Sequence, residues 1–205
     1  MKVFIDGENL RHQIAAILVD EKKVSAAKKN DSFRYNMRAF LESLLGTSEL
    51  EINYYTTKIK QPAHDIPKKL TQRIERISGA NRKWISQLKN QNIVVIKAGY
   101  LRVRESNVCV HCGKKTLGLQ EKGVDVRVAT DLLLAAQAGN KERIVLISSD
   151  SDLVPALVAA KPGRSNITYV CYAGRLNRSV AANADKTVTF DNKDVLSYFK
   201  GDTNE

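Results

Sequence analysis

The sequence predicts an α/β protein in which a mainly parallel sheet is covered on both faces by helices. Three observations predict it. Short apolar runs with strand character alternate with longer segments of helical spacing along almost the whole chain. Two of the apolar runs stop at aspartates, as strands do when they deliver side chains to the carboxyl edge of a parallel sheet. No internal repeat or low-complexity linker divides the 205 residues, and 43% hydrophobic content suits one full core.

Val3, Phe4 and Ile5 form the first run, a buried strand that ends at Asp6-Gly7. Residues 10–19 carry apolar side chains at helical spacing, and the polar, lysine-rich residues 20–32 predict a loop or a frayed helix end. Residues 33–45 return to a helical pattern that Gly46 stops, and residues 50–57 alternate as a strand does. A long charged helix is expected over residues 66–90, broken near Ser78-Gly79, before a compact strand at 93–97. Residues 99–122 hold basic residues, glycines and two cysteines without a helical period, so a protruding loop or hairpin is expected there. After it come a helix at 124–138, a strand at 144–147, a helix at 153–160, a strand at 167–171, a helix at 176–184 and a short strand at 188–190. The expected organisation is one domain over residues 1–200 with an inserted Cys-containing loop near 99–122, then a disordered tail at 201–205.

Thirty-three basic side chains against 22 acidic ones give a formal charge of +11. That field favours polyanions such as RNA or DNA, although a basic balance also serves solubility alone. No stretch approaches the roughly 18–20 consecutive apolar residues of a membrane span, and the chain is expected to open directly into a strand without a cleavable leader. Three cysteines, two of them three positions apart, make no disulfide framework. A cytoplasmic protein without membrane association is the resulting expectation.

In open parallel sheets the functional crevice lies beyond the carboxyl ends of the strands. Asp6 ends the first strand, Asp150 and Asp152 follow the strand at 144–147 through Ser148-Ser149, and Asp125 opens the helix at 124–138. Each has an ordinary structural role available: a helix cap for Asp152, a turn for Asp6, a dipole partner for Asp125. Repetition favours a site. Two carboxylates about 4 Å apart repel by up to ~4 kcal/mol at an effective dielectric near 20, and a cation relieves that. An all-oxygen set suits Mg²⁺ or Mn²⁺, whose chemistry on phosphate is to polarise an oxygen and activate water. An acidic pocket in a basic molecule is therefore coherent for attack on a phosphodiester.

The segments Phe4-Ile5-Asp6-Gly7-Glu8-Asn9, Glu121-Lys122-Gly123-Val124-Asp125 and Ile147-Ser148-Ser149-Asp150-Ser151-Asp152-Leu153 resemble the three motifs of NYN-domain proteins, the LabA-like branch of the PIN-like nucleases. The resemblance spans most of the chain. It implies a PIN-like, Rossmann-like three-layer sandwich, a metal held by acidic residues and ribonuclease activity. By the same resemblance Asp6, Asp125 and Asp150 match the acidic positions, Asp152 is a fourth, and Asn9 is a polar neighbour; Glu8 is expected to point away from the crevice, because neighbouring residues on an extended segment face opposite sides.

Cys109-Val110-His111-Cys112 has the spacing of half a zinc knuckle, and a closed structural site needs four ligands. A structural Zn²⁺ there needs His111 or a second copy of the chain, as a homo-oligomer, to complete it; an unmetallated loop is the simpler reading. Lys122, Arg102 and Arg104 around that loop, and Arg175 and Arg178 after the strand at 167–171, are the candidate phosphate contacts. The sequence thus predicts a metal-dependent nuclease acting on RNA in preference to DNA, with Asp6, Asp125, Asp150 and Asp152 as its catalytic metal ligands. Its first rival is a nucleic-acid-binding regulatory protein without catalysis. An aspartyl phosphatase fits less well, because Glu8 stands where a second aspartate is wanted, and a Toprim-like domain fits less well in motif order.

Overall fold

The computed structural model describes residues 1–25, 33–59, 66–105, 112–113, 115, 117–138, 142–163 and 165–202. The first strand, β1 (Lys2–Asp6), shows how the layers arise. Val3 and Ile5 enter one apolar core and Phe4 enters the other, as the two-residue period of a strand requires. Both faces of the sheet are therefore covered, which explains why the run is apolar throughout.

The chain continues as α1 (Gly7–Asp20), β2 (Phe33–Tyr35), α2 (Met37–Leu45), β3 (Glu51–Ile59) and α3 (Lys68–Lys89). It then forms β4 (Val94–Glu105), β5 (Leu117–Lys122), α4 (Val124–Gln137) and β6 (Arg143–Ile147). A 3₁₀ turn leads into α5 (Val154–Ala160), followed by β7 (Asn166–Tyr172), α6 (Arg178–Ala181), β8 (Lys186–Phe190), α7 (Asn192–Leu196) and β9 (Phe199–Asp202). Seven strands form the central sheet in the order β5-β4-β3-β1-β6-β7-β8, parallel except for the β4–β5 pair. Helices α1, α2, α3 and α7 supply the core against one face, with Leu10, Ile14, Phe40, Trp84 and Val195; α4, α5 and α6 supply the other, with Val128, Leu132, Leu157 and Val180. This is the expected mainly parallel, three-layer PIN-like fold. No helix among the described residues is long and apolar enough to cross a membrane.

Four local expectations change. Residues 33–45 are not one helix: Phe33 and Tyr35 pair with β9, and Asn36 caps α2 by accepting from the Ala39 amide at 3.3 Å. The pairing strand comes from the far end of the sequence, so no local pattern announces it. α3 is unbroken at Ser78-Gly79, because the ~1 kcal/mol helix penalty of a glycine is outweighed by burial of Ile74, Trp84 and Leu88 on the neighbouring turns. The helix expected at 176–184 shrinks to α6, whose start is set by Asn177 accepting from the amides of Ser179 and Val180. Gly201 and Asp202, expected in a disordered tail, belong to β9, where Asp202 pairs with Phe33. Residues 203–205 lie outside the described residues.

Strand order places the crevice. From β1 the chain moves outward through β3 and β4, then returns to the other side of β1 as β6. The reversal falls between β1 and β6, at whose carboxyl ends Asp6 and Ser148-Ser149-Asp150 emerge. The β4–β5 hairpin projects from the opposite flank and brings Lys122 back beside Tyr100.

Candidate active site

Three helix beginnings converge on one cleft. Asp6 is the N-cap of α1 and accepts from the Asn9 amide at 3.2 Å. Asp125 lies in the first turn of α4, and Asp150 caps the 3₁₀ turn before α5, accepting from the Asp152 amide at 2.9 Å. At α1 and α4 the positive end of the helix dipole partly offsets the negative side chains. Asp6, Glu8, Asn9, Glu121, Lys122, Asp125 and Asp150 all line this cleft of about 490 Å³.

The cleft floor is hydrogen-bonded. Parallel pairing sets Ile5 beside Ile147, so the next residues, Asp6 and Ser148, also meet. The Ser148 hydroxyl donates to Asp6 Oδ2 at 3.1 Å and accepts from the Asp150 amide at 3.1 Å, linking the two motifs through one buried side chain. Asn9 Oδ1 accepts from the Ser149 hydroxyl at 3.1 Å and from Gln13 Nε2, while Asn177 Nδ2 donates to the Ser149 carbonyl at 3.0 Å. Asn9 thus orients the loop after β6 from the first turn of α1.

Glycines allow the close approach. A Cβ on Gly7 would stand 2.3 Å from Tyr54 Cε1 and 2.3 Å from the Tyr55 carbonyl oxygen. Gly99, at φ +64°, would place a Cβ 2.3 Å from the Lys122 carbonyl oxygen, so the hairpin can close against the start of α4 only with glycine there.

Negative charge dominates the electrostatics of the cleft, with five carboxylates against Lys122. Burial raises the Asp6 carboxyl above the usual range, and Asp150 and Glu8 add to the rise against the Asn9 amide and Ser148 hydroxyl, which lower it. Glu121 is pushed up to about 7, first by crowding that displaces water from its carboxyl and then by the charges of Glu8, Asp6 and Asp125. As a residue Glu121 remains exposed, so solvent screening reduces what this shift is worth in stability.

Its sign is nonetheless definite. A carboxyl whose pKa rises on folding stabilises the native state below its ordinary value, near 4.5, and that contribution is lost as pH rises towards about 7. Glu121→Gln is therefore expected to raise the melting temperature of chelator-treated protein at pH 8 by roughly 1–3 °C and to leave it unchanged at pH 4. Melting curves across pH check this; an equal gain at both ends would show that the charge is not responsible.

Not every expected residue enters the cleft. Asp152 is exposed and outside the lining, its amide serving Asp150. Glu8 does line the cleft, held by Thr56 Oγ1 at 3.4 Å and near His12 Nε2 at 3.7 Å; helix rather than extended geometry begins at Gly7, which turns it inward. Asp131 points elsewhere, accepting from Tyr55 OH at 2.9 Å and pairing with Arg127 at 2.8 Å. Among the described residues no three His, Cys, Asp or Glu side chains already form a tight metal-binding group. The donor set still fits a hard divalent cation, because five carboxylates line one volume and two of them, Asp6 and Glu121, have their proton affinity raised there.

Lys122 is at the cleft wall, and β pairing puts Tyr100 opposite Lys122 and Arg102 opposite Gln120 on one face of the hairpin. Arg102 and Lys58 lie over the Tyr100 ring at 5.6 and 6.0 Å, and Arg104 donates to Gln120 Oε1 at 2.8 Å. On the other side Arg175 lines an adjoining cavity with Asn9, Gln13 and Ser149, whereas Arg178 is exposed on α6. Cys112 is exposed; Cys109 and His111 lie outside the described residues.

Glu121 and Ser148 were absent from the sequence-based candidates. The first stands inside a quoted motif, on a strand end whose partner strand was not legible. The second needs the β1–β6 register to be seen.

The crystal structure of a protein of unknown function from Vibrio parahaemolyticus RIMD 2210633 is similar in fold, with a TM-score of 0.53, 16% identity and coverage of 97% of this chain and 94% of that one. No curated protein sequence matches. The sequence model of the NYN domain, a member of the PIN-like nuclease superfamily, matches residues 1–191. With three motif segments meeting at one carboxylate-lined cleft in a PIN-like fold, and with that match covering nearly the whole length, the chain belongs to the NYN domain family.

Proposed function

We propose that this protein belongs to the LabA-like branch and is a metal-dependent nuclease that hydrolyses phosphodiester bonds of RNA in preference to DNA. The observation that carries the reading is the convergence of Asp6, Asp125 and Asp150 on one cleft at the β1/β6 switch point. Asp6, Asp125 and Asp150, with Glu8 and Glu121 beside them, would hold Mg²⁺ or Mn²⁺. Such an ion supplies Lewis acidity toward phosphoryl oxygen and makes water a better nucleophile at neutral pH.

The chain's own residues do the positioning. Ser148 fixes the Asp6 carboxylate and the Asp150 backbone together, and Asn9 with Gln13 holds Ser149, so the two motif loops are tied to one another. Lys122 at the wall, Arg102 and Arg104 along the hairpin and Arg175 on the far side would contact flanking phosphates, which carry the affinity of nucleic-acid binding. Arg178 lies further out on the same edge.

Labelled single-stranded RNA and DNA, incubated with Mg²⁺, Mn²⁺ or chelator, test the reading. Products that depend on the ion and disappear with Asp150→Asn support it. Salt-sensitive binding without products under either ion would favour a non-catalytic nucleic-acid-binding protein instead. Each lost phosphate contact lowers the slope of log affinity against log salt by ~0.7 on single strands. Arg102→Ala with Arg104→Ala is thus expected to flatten the slope by about 1.4, and an unchanged slope would place the phosphate track elsewhere.

A further inference from the structure

Beside the acidic cleft, and sharing Asn9 and His12 with it, lies a second cavity of about 390 Å³ at the carboxyl end of β7. That volume is within the roughly 300–1,000 Å³ of small-ligand sites. Asn9, Gln13, Ala16 and Asp20 line it from α1, at the spacing of one helical stripe that runs for about 16 Å. From the sheet edge come Tyr172, which ends β7, and Arg175 in the turn that follows. Among the described residues Asp20 is the cavity's one carboxylate, against five in the cleft, so the cavity is suited less to a second divalent ion than to what flanks the first.

Resting on the nuclease reading, we propose that this cavity is a nucleotide subsite adjoining the reacting phosphate, with Tyr172 as the aromatic wall for the base and Arg175 as the partner of the nucleotide's phosphate. A strand whose reacting phosphate lies over the carboxylates enters the cavity without a gap, because Asn9 and His12 belong to both. Tyr172 is fixed before any ligand arrives. Its hydroxyl donates to Asn192 Oδ1 at 2.8 Å, its ring centroid lies 5.9 Å from that of Phe190, and a Cβ on Gly174 would stand 2.7 Å from its Cε1. A base packing there buries apolar surface without the protein having to order a long side chain, and every base has a face to offer. Ala16 supplies the room, since a larger side chain at its place on the stripe would enter the cavity between Gln13 and Asp20. Exposed Arg175 brings N–H donors in a planar fork that matches phosphate oxygens.

The test is equilibrium binding of small probes to the full chain in chelator, where no cleavage occurs: AMP against ribose 5-phosphate, which lacks the base, and AMP against adenosine, which lacks the phosphate. The wild type is expected to bind AMP about tenfold more tightly than either. Tyr172→Leu is expected to cut the preference over ribose 5-phosphate to about twofold or less, and Arg175→Gln to weaken AMP while leaving adenosine unchanged. Because Tyr172 also packs against the core, Ala16→Leu provides a second route: it leaves the ring in place, fills the cavity and is expected to weaken AMP and adenosine alike. AMP and ribose 5-phosphate bound equally, a tenfold preference that survives in Tyr172→Leu, equal losses of AMP and adenosine in Arg175→Gln, or full AMP affinity in Ala16→Leu would overturn the proposal. The nuclease reading fails separately: base-dependent binding without ion-dependent RNA cleavage keeps the subsite and removes the hydrolysis, while ion-dependent cleavage without base-dependent binding does the reverse.

Discussion

Asp6→Asn is expected to lower ion-dependent cleavage by on the order of 10³-fold, a loss of several kcal/mol of transition-state stabilisation, and at the same time to raise the melting temperature of chelator-treated protein at pH 7. Both effects follow from one carboxylate. Asparagine is as good an N-cap as aspartate, so the bond from the Asn9 amide and the start of α1 survive the change. What disappears is a charge that folding opposes. The Asp6 carboxyl is raised above its usual value by burial, and Asp150 and Glu8 add to it. Ionised Asp6 therefore destabilises the native state as pH climbs, and the variant escapes that loss at pH 7 but gains nothing below pH 3. A single preparation measured for cleavage and for melting at two pH values decides the matter. Wild-type cleavage by the variant would remove Asp6 from the chemistry; a lower melting temperature at pH 7 would show that its charge is compensated by something else.

Gly7→Ala is expected to reduce the melting temperature by roughly 5–10 °C, from an overpacking cost of about 2–3 kcal/mol in a domain of this size. The added methyl carbon meets the Tyr54 ring and the Tyr55 carbonyl at 2.3 Å. Neither gives way easily. Tyr54 is fully buried, donating to the Gly7 carbonyl at 2.7 Å and accepting from Trp84 Nε1 at 2.9 Å, while the Tyr55 carbonyl belongs to the parallel β1–β3 ladder. Relief requires α1 to move away from β3, which would carry Asp6, Glu8 and Asn9 out of place, so cleavage should fall together with stability. Scanning calorimetry gives the first quantity directly. An unchanged midpoint would mean that α1 begins further from β3 than these contacts imply.

The alternation of strands and helices was legible because each element repeats its period within the element: Val3 to Ile5 is apolar through both faces, and Leu10, Ile14 and Leu18 mark one side of α1. The acids were legible for a related reason, since Asp6 ends an apolar strand and Asp150 comes three residues after another. Misreadings fell where the deciding partner is remote. Phe33 and Tyr35 are a strand only because Phe199 and Asp202 arrive beside them, and Glu8 turns inward only because α1 starts one residue after β1 ends. Gly79 failed to break α3 because Trp84 and Leu88 hold the helix against the sheet.

Period and composition, which are properties of neighbours along the chain, were enough to set the layers, the net basic charge and the acids at strand ends and a helix start, while the resemblance identified the three motifs. Proximity was set by neither. That Ser148 joins Asp6 to Asp150, that Glu121 returns from the hairpin to the same wall, and that Tyr172 and Arg175 line a cavity beside it depend on strand order and register. These pairings join residues up to 142 positions apart, and they are chosen by the burial of whole faces rather than by any local signal.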